Sequence, residues 1–325
     1  MDVTGKSGSG GTGYTVGVDI GGTKMLAILL DSAGRIAARQ RVGTRQGADA
    51  VVAAVAAAVR EVARQGGLTV DQLEGVGIGL PGVVDPDKGL VENAVNLGVE
   101  ESTPLAALIS DELGGVAVRL ENDLNAAVIG TAHLFAATGE PHSDDLAFVA
   151  LGTGLAAGLM LGGRLRRGTH MAAGEIGHLV YVPDGLPCKC GQLGCLERYA
   201  SGSALDAAWP SRSGRPAPVE LFEAADAGDE AAIAVRDEFV RAVASGVRIL
   251  ALTCDVDRIV LGGGVSELGQ PLLDALVGEL ERQAANSPFL ASTDLAHRVR
   301  LAPPGIAVGA IGAGLVGRKE QSWKS

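Results

Sequence analysis

The residues best placed by type and spacing to do chemistry are His178, Cys188, Cys190 and Cys195. One imidazole and three thiolates complete a tetrahedral ligand set with no open position, which suits structural rather than catalytic zinc. The cysteines lack the CxxC spacing of a redox pair, so a thiol–disulfide catalyst fits them poorly. Glu175 and Glu197 bracket these ligands, where a zinc-fixed loop would present both carboxylates. Such carboxylates can accept paired hydroxyl groups, as on a sugar, or remain solvated loop charges. Cys254 lies in an apolar stretch and reads as a buried hydrophobe. His142 and His170 have no partners at ligand spacing and read as surface or satisfied positions.

A second group is Asp19-Ile20-Gly21-Gly22-Thr23-Lys24. Successive glycines let backbone N–H groups approach a phosphate, Thr23 and Lys24 add donors, and Asp19 is suited to ordering a hydrated magnesium ion. No helix-opening GxxxxGK[ST] is present, so this is not a Walker A loop, and an ordinary glycine hairpin is the plain alternative. Gly152-Thr153-Gly154 and Gly262-Gly263-Gly264 also follow apolar strands. Asp123, preceded by Asn122, falls where a strand hands over to a helix, a usual ligand position in open α/β sheets. Its carboxylate is suited to take the proton of a hydroxyl attacking a phosphoryl group, or to cap the helix.

The elements that must position these groups alternate. Thr15 to Ile20 and Met25 to Leu30 read as strands joined by the Gly21-Gly22 turn, with a hairpin turn at Ser32-Ala33-Gly34 leading to a third strand. Ala48 to Arg64 has helical apolar spacing, Val76 to Leu80 reads as a buried strand closed by Pro81-Gly82, and Val116 to Leu120 as another before a helix over Leu124 to Phe135. Strands at Leu146 to Leu151 and Gly158 to Leu161 repeat the opening unit, which predicts a duplicated two-lobed fold. Helices at Glu230 to Leu252 and Pro271 to Gln283 flank a strand at Arg258 to Leu261, and Arg298 to Ala302 reads as the last strand. The whole is an α/β alternation with mostly parallel sheet. The expected organisation is a tail over 1–13, an N-terminal lobe over 14–122 completed by a helix within 307–325, and a C-terminal lobe over 123–306 holding a zinc loop at 174–197.

At 325 residues, with 47% hydrophobic and 20% charged residues, the chain has enough apolar material for two folded domains. The 48 glycines predict many tight turns or phosphate-facing loops. A formal charge of -11 is the wrong sign for gripping nucleic acid. No apolar run suits a membrane span or a leader, so a cytoplasmic location is expected.

With these residues assembled, the chain resembles the ROK family of bacterial repressors and sugar kinases, from Tyr14 to about Val316. The most specific stretch is Gly174 to Glu197, from GEIGH to CxCGxxGCxE. DIGGTK at 19–24, PG at 81–82, Asn96-Leu97, Glu121-Asn122-Asp123 and LGTG at 151–154 follow in the family's order. The resemblance implies an actin-like ATPase (ribonuclease H-like) fold with two lobes around a central cleft, which a bound sugar would close. It further implies ATP-dependent phosphorylation of a hexose, with glucose the first expectation. Fructose, N-acetylmannosamine and N-acetylglucosamine are alternative sugars, and a non-catalytic sugar sensor is the rival class.

The same resemblance implies Asp123 as catalytic base, with Asn96, Asn122, Glu175, His178 and Glu197 on the sugar. Zinc would rest on His178, Cys188, Cys190 and Cys195. The phosphates of ATP with Mg2+ would lie near Gly21 to Lys24, Gly152 to Gly154 and Gly262 to Gly264. A homodimer or higher homo-oligomer is implied by analogy, and a DNA-binding repressor is not expected, because thirteen residues before the first strand leave no room for a helix-turn-helix domain. One departure stands out: Leu155-Ala156-Ala157 replaces an Ile and a run of glycines. The added methyls are expected to narrow that phosphate loop.

Overall fold

The computed structural model describes residues 13–138 and 143–319. Most of the tail reading, His142 and the chain beyond 319 lie outside these residues. The described chain falls into two compact units. One holds the residues up to Gly130 with those from Ala307 onward, and the other holds Thr131–Ile306.

The first unit opens with β1 (Thr15–Ile20), β2 (Lys24–Leu30), β3 (Ile36–Gly43), α1 (Ala48–Gln65) and β4 (Gly75–Leu80). A small hairpin of β5 (Val83–Asp85) and β6 (Leu90–Glu92) follows, then α2 (Leu105–Glu112), β7 (Val118–Asn122) and α3 (Asp123–Ala137). The sheet order is β3-β2-β1-β4-β7. Pairings β1/β2 and β2/β3 are antiparallel, while β1/β4 and β4/β7 are parallel. Helix α1 forms because Val51, Val55, Val59 and Val62 recur at helical spacing and bury together, leaving Arg60 and Arg64 outside.

The second unit contains β8 (Leu146–Leu151), β9 (Leu155–Leu161), β10 (Arg164–Leu165), α4 (Gly202–Ala208), α5 (Ala217–Asp226) and α6 (Glu230–Cys254). It continues with β11 (Arg258–Gly262), α7 (Gln270–Ala285), α8 (Pro288–Ser292), α9 (Leu295–Arg298) and β12 (Val299–Leu301). Its sheet order, β10-β9-β8-β11-β12, reproduces that of the first unit in pattern and in strand direction. The duplication read from the glycine turns is thus a duplication of topology. Among the described residues no helix is long and apolar enough to cross a membrane.

The last helix, α10 (Val308–Val316), packs on β1 and β4 of the first unit. Glycine makes that approach possible. A Cβ on Gly17 would lie 2.0 Å from the Ala310 carbonyl oxygen, and one on Gly77 would lie 1.8 Å from that of Ala313. All nine residues of α10 are buried.

Among the boundaries that shift from the sequence reading, two bear on the site. β7 runs on through Glu121 and Asn122, because pairing continues as Gly79↔Glu121 and Leu80↔Asn122. β9 begins at Leu155 rather than Gly158, since Leu155, Ala156 and Ala157 pair with Leu151, Ala150 and Val149. Leu155 and Ala157 are 5% and 3% exposed and belong to the second unit's core, so their side chains fill the interior. Only Ala156, half-buried, presents its methyl on the other face. The expected narrowing by the added methyls therefore reduces to Ala156.

Candidate active site

In the first unit, Asp19 ends up near the C-terminal end of β1 and Asp123 directly after β7, with β4 between them. The end of β4 is kept thin for this: a Cβ on Gly79 would be 3.7 Å from the Asp123 Cα and 3.1 Å from the Ala126 Cβ. Burial, with the Asp123 carboxylate adding repulsion, pushes the Asp19 carboxyl up from 3.8 to about 6.

Asn122 and Asp123 divide the work at the helix start. The Asn122 Oδ1 accepts from the backbone N–H of Leu124 at 3.0 Å and of Asn125 at 3.4 Å, so Asn122 serves as the side-chain cap of α3. Asp123 is the first helical residue, its Oδ1 accepting from the Leu124 N–H at 2.9 Å. The capping alternative raised for Asp123 thus belongs chiefly to its neighbour. The Asn122 side-chain amide also donates to the Gly82 carbonyl at 3.4 Å. Glu121, which sequence reasoning gave no role, is 1% exposed, and its Oε1 accepts from the Asn122 N–H and from Asn125 Nδ2.

The loop from Gly21 to Lys24 is exposed and closed by the Gly21 N–H donating to the Lys24 carbonyl at 2.9 Å. Thr44 steadies it from β3's end: its Oγ1 donates to the Gly21 carbonyl at 2.7 Å and its N–H to that of Thr23 at 3.0 Å. Sequence reading missed Thr44, whose signal was only its place after a strand paired to the loop's own. A Cβ on Gly22 would meet the Asn96 Cβ at 3.3 Å, so exposed Asn96 flanks this loop.

In the second unit the four metal-ligand candidates converge, with one donor atom from each within 4.8 Å of the others. Cys190 Sγ and Cys195 Sγ are 3.6 Å apart, and Cys188 Sγ lies 3.9 Å from His178 Nδ1. Ligands about 2.0–2.3 Å from a shared tetrahedral centre would be separated by roughly 3.5–3.8 Å, so the donor set fits zinc. All the cysteines are free thiols. Burial, then neighbouring thiols, pushes the Cys195 thiol up to about 12, whereas Gln192 backbone and side-chain donors bring exposed Cys190 down to about 6. Gln192 Nε2 reaches Cys190 Sγ at 3.4 Å and Cys195 Sγ at 3.7 Å. Sequence reading passed over Gln192, although it stands between two ligands.

Glu197 joins this cluster to the glycine loop. Its Oε1 accepts from the Cys188 thiol at 3.2 Å, while a Cβ on Gly154 would lie 2.9 Å from its Oε2. Glu175 is exposed, and Glu197 and His178 are half-buried. The loop Gly152 to Gly154 is held by Gly202, whose N–H donates to the Gly152 carbonyl at 2.7 Å, and by Ser203 Oγ, which donates to the Thr153 carbonyl at 2.6 Å. Gly263 lies against it, φ +86°, with a Cβ there 2.6 Å from the Leu151 carbonyl. Gly264 is open, but Gly262 is a packing glycine whose missing side chain is replaced by the Phe148 ring at 2.2 Å. His170 is exposed, and Cys254 is half-buried against the core.

The ROK family model matches residues 15–319. The chain belongs to the ROK family. A glucokinase of Streptomyces coelicolor is 36% identical over 282 residues, covering 81% of this chain and 86% of that one. The crystal structure of a ROK hexokinase from Thermus thermophilus superposes with TM-score 0.78 at 33% identity, covering 94% of this chain and 97% of that one. A ROK glucokinase from Streptomyces griseus, solved with glucose and AMPPNP, superposes with TM-score 0.75 at 34% identity, covering 94% and 100%. The duplicated five-stranded units are accordingly those of the actin-like ATPase fold found in ROK kinases.

Proposed function

We propose that this chain is an ATP-dependent hexose kinase that converts glucose to glucose 6-phosphate with Asp123 as general base. The observation that carries the reading is the division of labour after β7: Asn122 caps α3, and Asp123 stands at its first turn beside Asp19. The identities to the Streptomyces coelicolor and Streptomyces griseus glucokinases support glucose as the sugar.

Asp123 takes the proton of the sugar's 6-hydroxyl as that oxygen forms a bond to the γ-phosphorus. The bond from phosphorus to the β–γ bridging oxygen breaks, and ADP leaves with that electron pair. Magnesium bound with ATP would supply charge neutralisation at the phosphates, and Asp19 is the residue that would order its hydration shell. The N–H groups of Gly21 and Gly152 are spent closing their own turns, so the backbone N–H groups left to hold phosphate oxygens are those of Gly22 to Lys24, of Thr153-Gly154 and of Gly263-Gly264, with the Lys24 ammonium beside them. Asn96, Asn122, Glu175, His178 and Glu197 fix the sugar hydroxyls. Asn122 does this with whatever capacity its cap leaves.

Zinc on His178 Nδ1, Cys188, Cys190 and Cys195 would be structural. Held there, it would fix the segment carrying Glu175 and Glu197, and the imidazole nitrogen of His178 not used for the metal would be free to meet the sugar. ATP as co-substrate and a cluster of free thiols support a cytoplasmic location. The test is ADP release from magnesium-ATP with glucose, mannose, fructose, N-acetylglucosamine and N-acetylmannosamine. Highest kcat/KM on glucose is expected; higher kcat/KM on another sugar replaces glucose, and no sugar-dependent turnover contradicts the kinase reading.

A further inference from the structure

Gly309 stands in the first turn of α10, from the far end of the chain, yet it touches Asp19. A Cβ built on it would lie 2.8 Å from Asp19 Oδ2, 3.0 Å from Cγ and 3.3 Å from Oδ1. Glycine is not needed there for backbone reasons, since Gly309 is absent from the positive-φ positions, and in a helix it costs about 1 kcal/mol against alanine. The other glycines of α10 have different neighbours: Gly312 faces the Ala126 carbonyl and Gly314 the Leu30 side chain. Gly309 is the one whose missing methyl is occupied by a carboxylate. Among the described residues the Asp19 side chain has no hydrogen-bond or ion-pair partner, so packing, with repulsion from the Asp123 carboxylate, sets its rotamer.

We infer that Gly309 is a positioning residue for Asp19: the absence of its side chain fixes the depth and direction of that carboxylate, and with them the hold on magnesium-nucleotide. The inference rests on the reading of Asp19 as the magnesium-ordering group. A methyl at 309 forces the carboxylate to a different rotamer, because all three of its outer atoms lie closer to that methyl than ordinary van der Waals contact allows.

The test compares wild type, Gly309→Ala and Gly314→Ala by calorimetry of ADP binding with and without magnesium, and by magnesium titration of turnover. Gly309→Ala is expected to lose the magnesium-dependent gain in ADP affinity and to raise the magnesium requirement, each by about tenfold or more. Metal-free ADP affinity and sugar KM should hold, and Gly314→Ala should keep the magnesium response. An unchanged response in Gly309→Ala, or an equal loss in Gly314→Ala, overturns the inference. Wild type showing no magnesium gain would sink the reading of Asp19 instead. The contact itself is then decided by stability: Asp19→Ala should relieve whatever destabilisation Gly309→Ala causes, and additive losses in the double variant would contradict it.

Discussion

Replacing Asp19 by asparagine removes a charge that the fold holds at a cost. A carboxyl carried from 3.8 to about 6 binds its proton more tightly in the folded chain, so stability from this group falls as pH rises through that window and stays low above it. The full shift corresponds to about 3 kcal/mol at pH 7.5 and about 1.5 kcal/mol at pH 5. Asp19 is only half-buried by its exposure, so roughly 1–3 kcal/mol is the range to expect at pH 7.5. Asp19→Asn should therefore be more stable than wild type in magnesium-free buffer at pH 7.5, and its advantage should about halve at pH 5. Urea unfolding at the two pH values measures this, and kinase turnover should be lost in the same variant. A variant no more stable than wild type at pH 7.5, or one whose advantage ignores pH, would refute the placement of Asp19 in a desolvated site beside Asp123.

Cys195→Ser should abolish zinc binding, taking metal content by plasma mass spectrometry from about one equivalent to near none, and lower the melting temperature. Cys254→Ser should retain the metal; zinc kept in the first variant would show that the cluster is not the site. Gly77→Ala would set a methyl 1.8 Å from the Ala313 carbonyl and 2.6 Å from the Gly317 nitrogen, so α10 must shift. A loss of about 1–3 kcal/mol is expected by denaturant titration, against no appreciable loss for Gly43→Ala, which meets nothing within 4 Å. Equal stability of the two variants would contradict the close seating of α10.

Local signals carried much of this protein. β1 and β8 begin and end where their apolar runs do, and the histidine and cysteines of the metal cluster are near neighbours in sequence, so type and spacing alone brought them together. What failed depended on partners distant in sequence. Nothing local shows that pairing with Gly79 and Leu80 prolongs β7, and so hands the cap to Asn122 rather than Asp123, when both residue types cap helices well. Ala157 looked like an intruder in a glycine loop until pairing with Val149 placed it in a strand facing the core. The three-glycine run at 262–264 looked uniform, yet one member packs on an aromatic ring from another strand. The contact of Gly309 with Asp19 joins the two ends of the chain and has no local signature.

The central claim, that Asp123 takes the sugar's proton, is tested most directly by the steady-state kinetics of Asp123→Asn with glucose and magnesium-ATP, alongside a binding isotherm for glucose. The amide keeps the shape and cannot accept the proton, so kcat should fall by about 10²–10⁴-fold while glucose affinity changes little. A variant that keeps kcat within a few-fold of wild type would show that another group is the base.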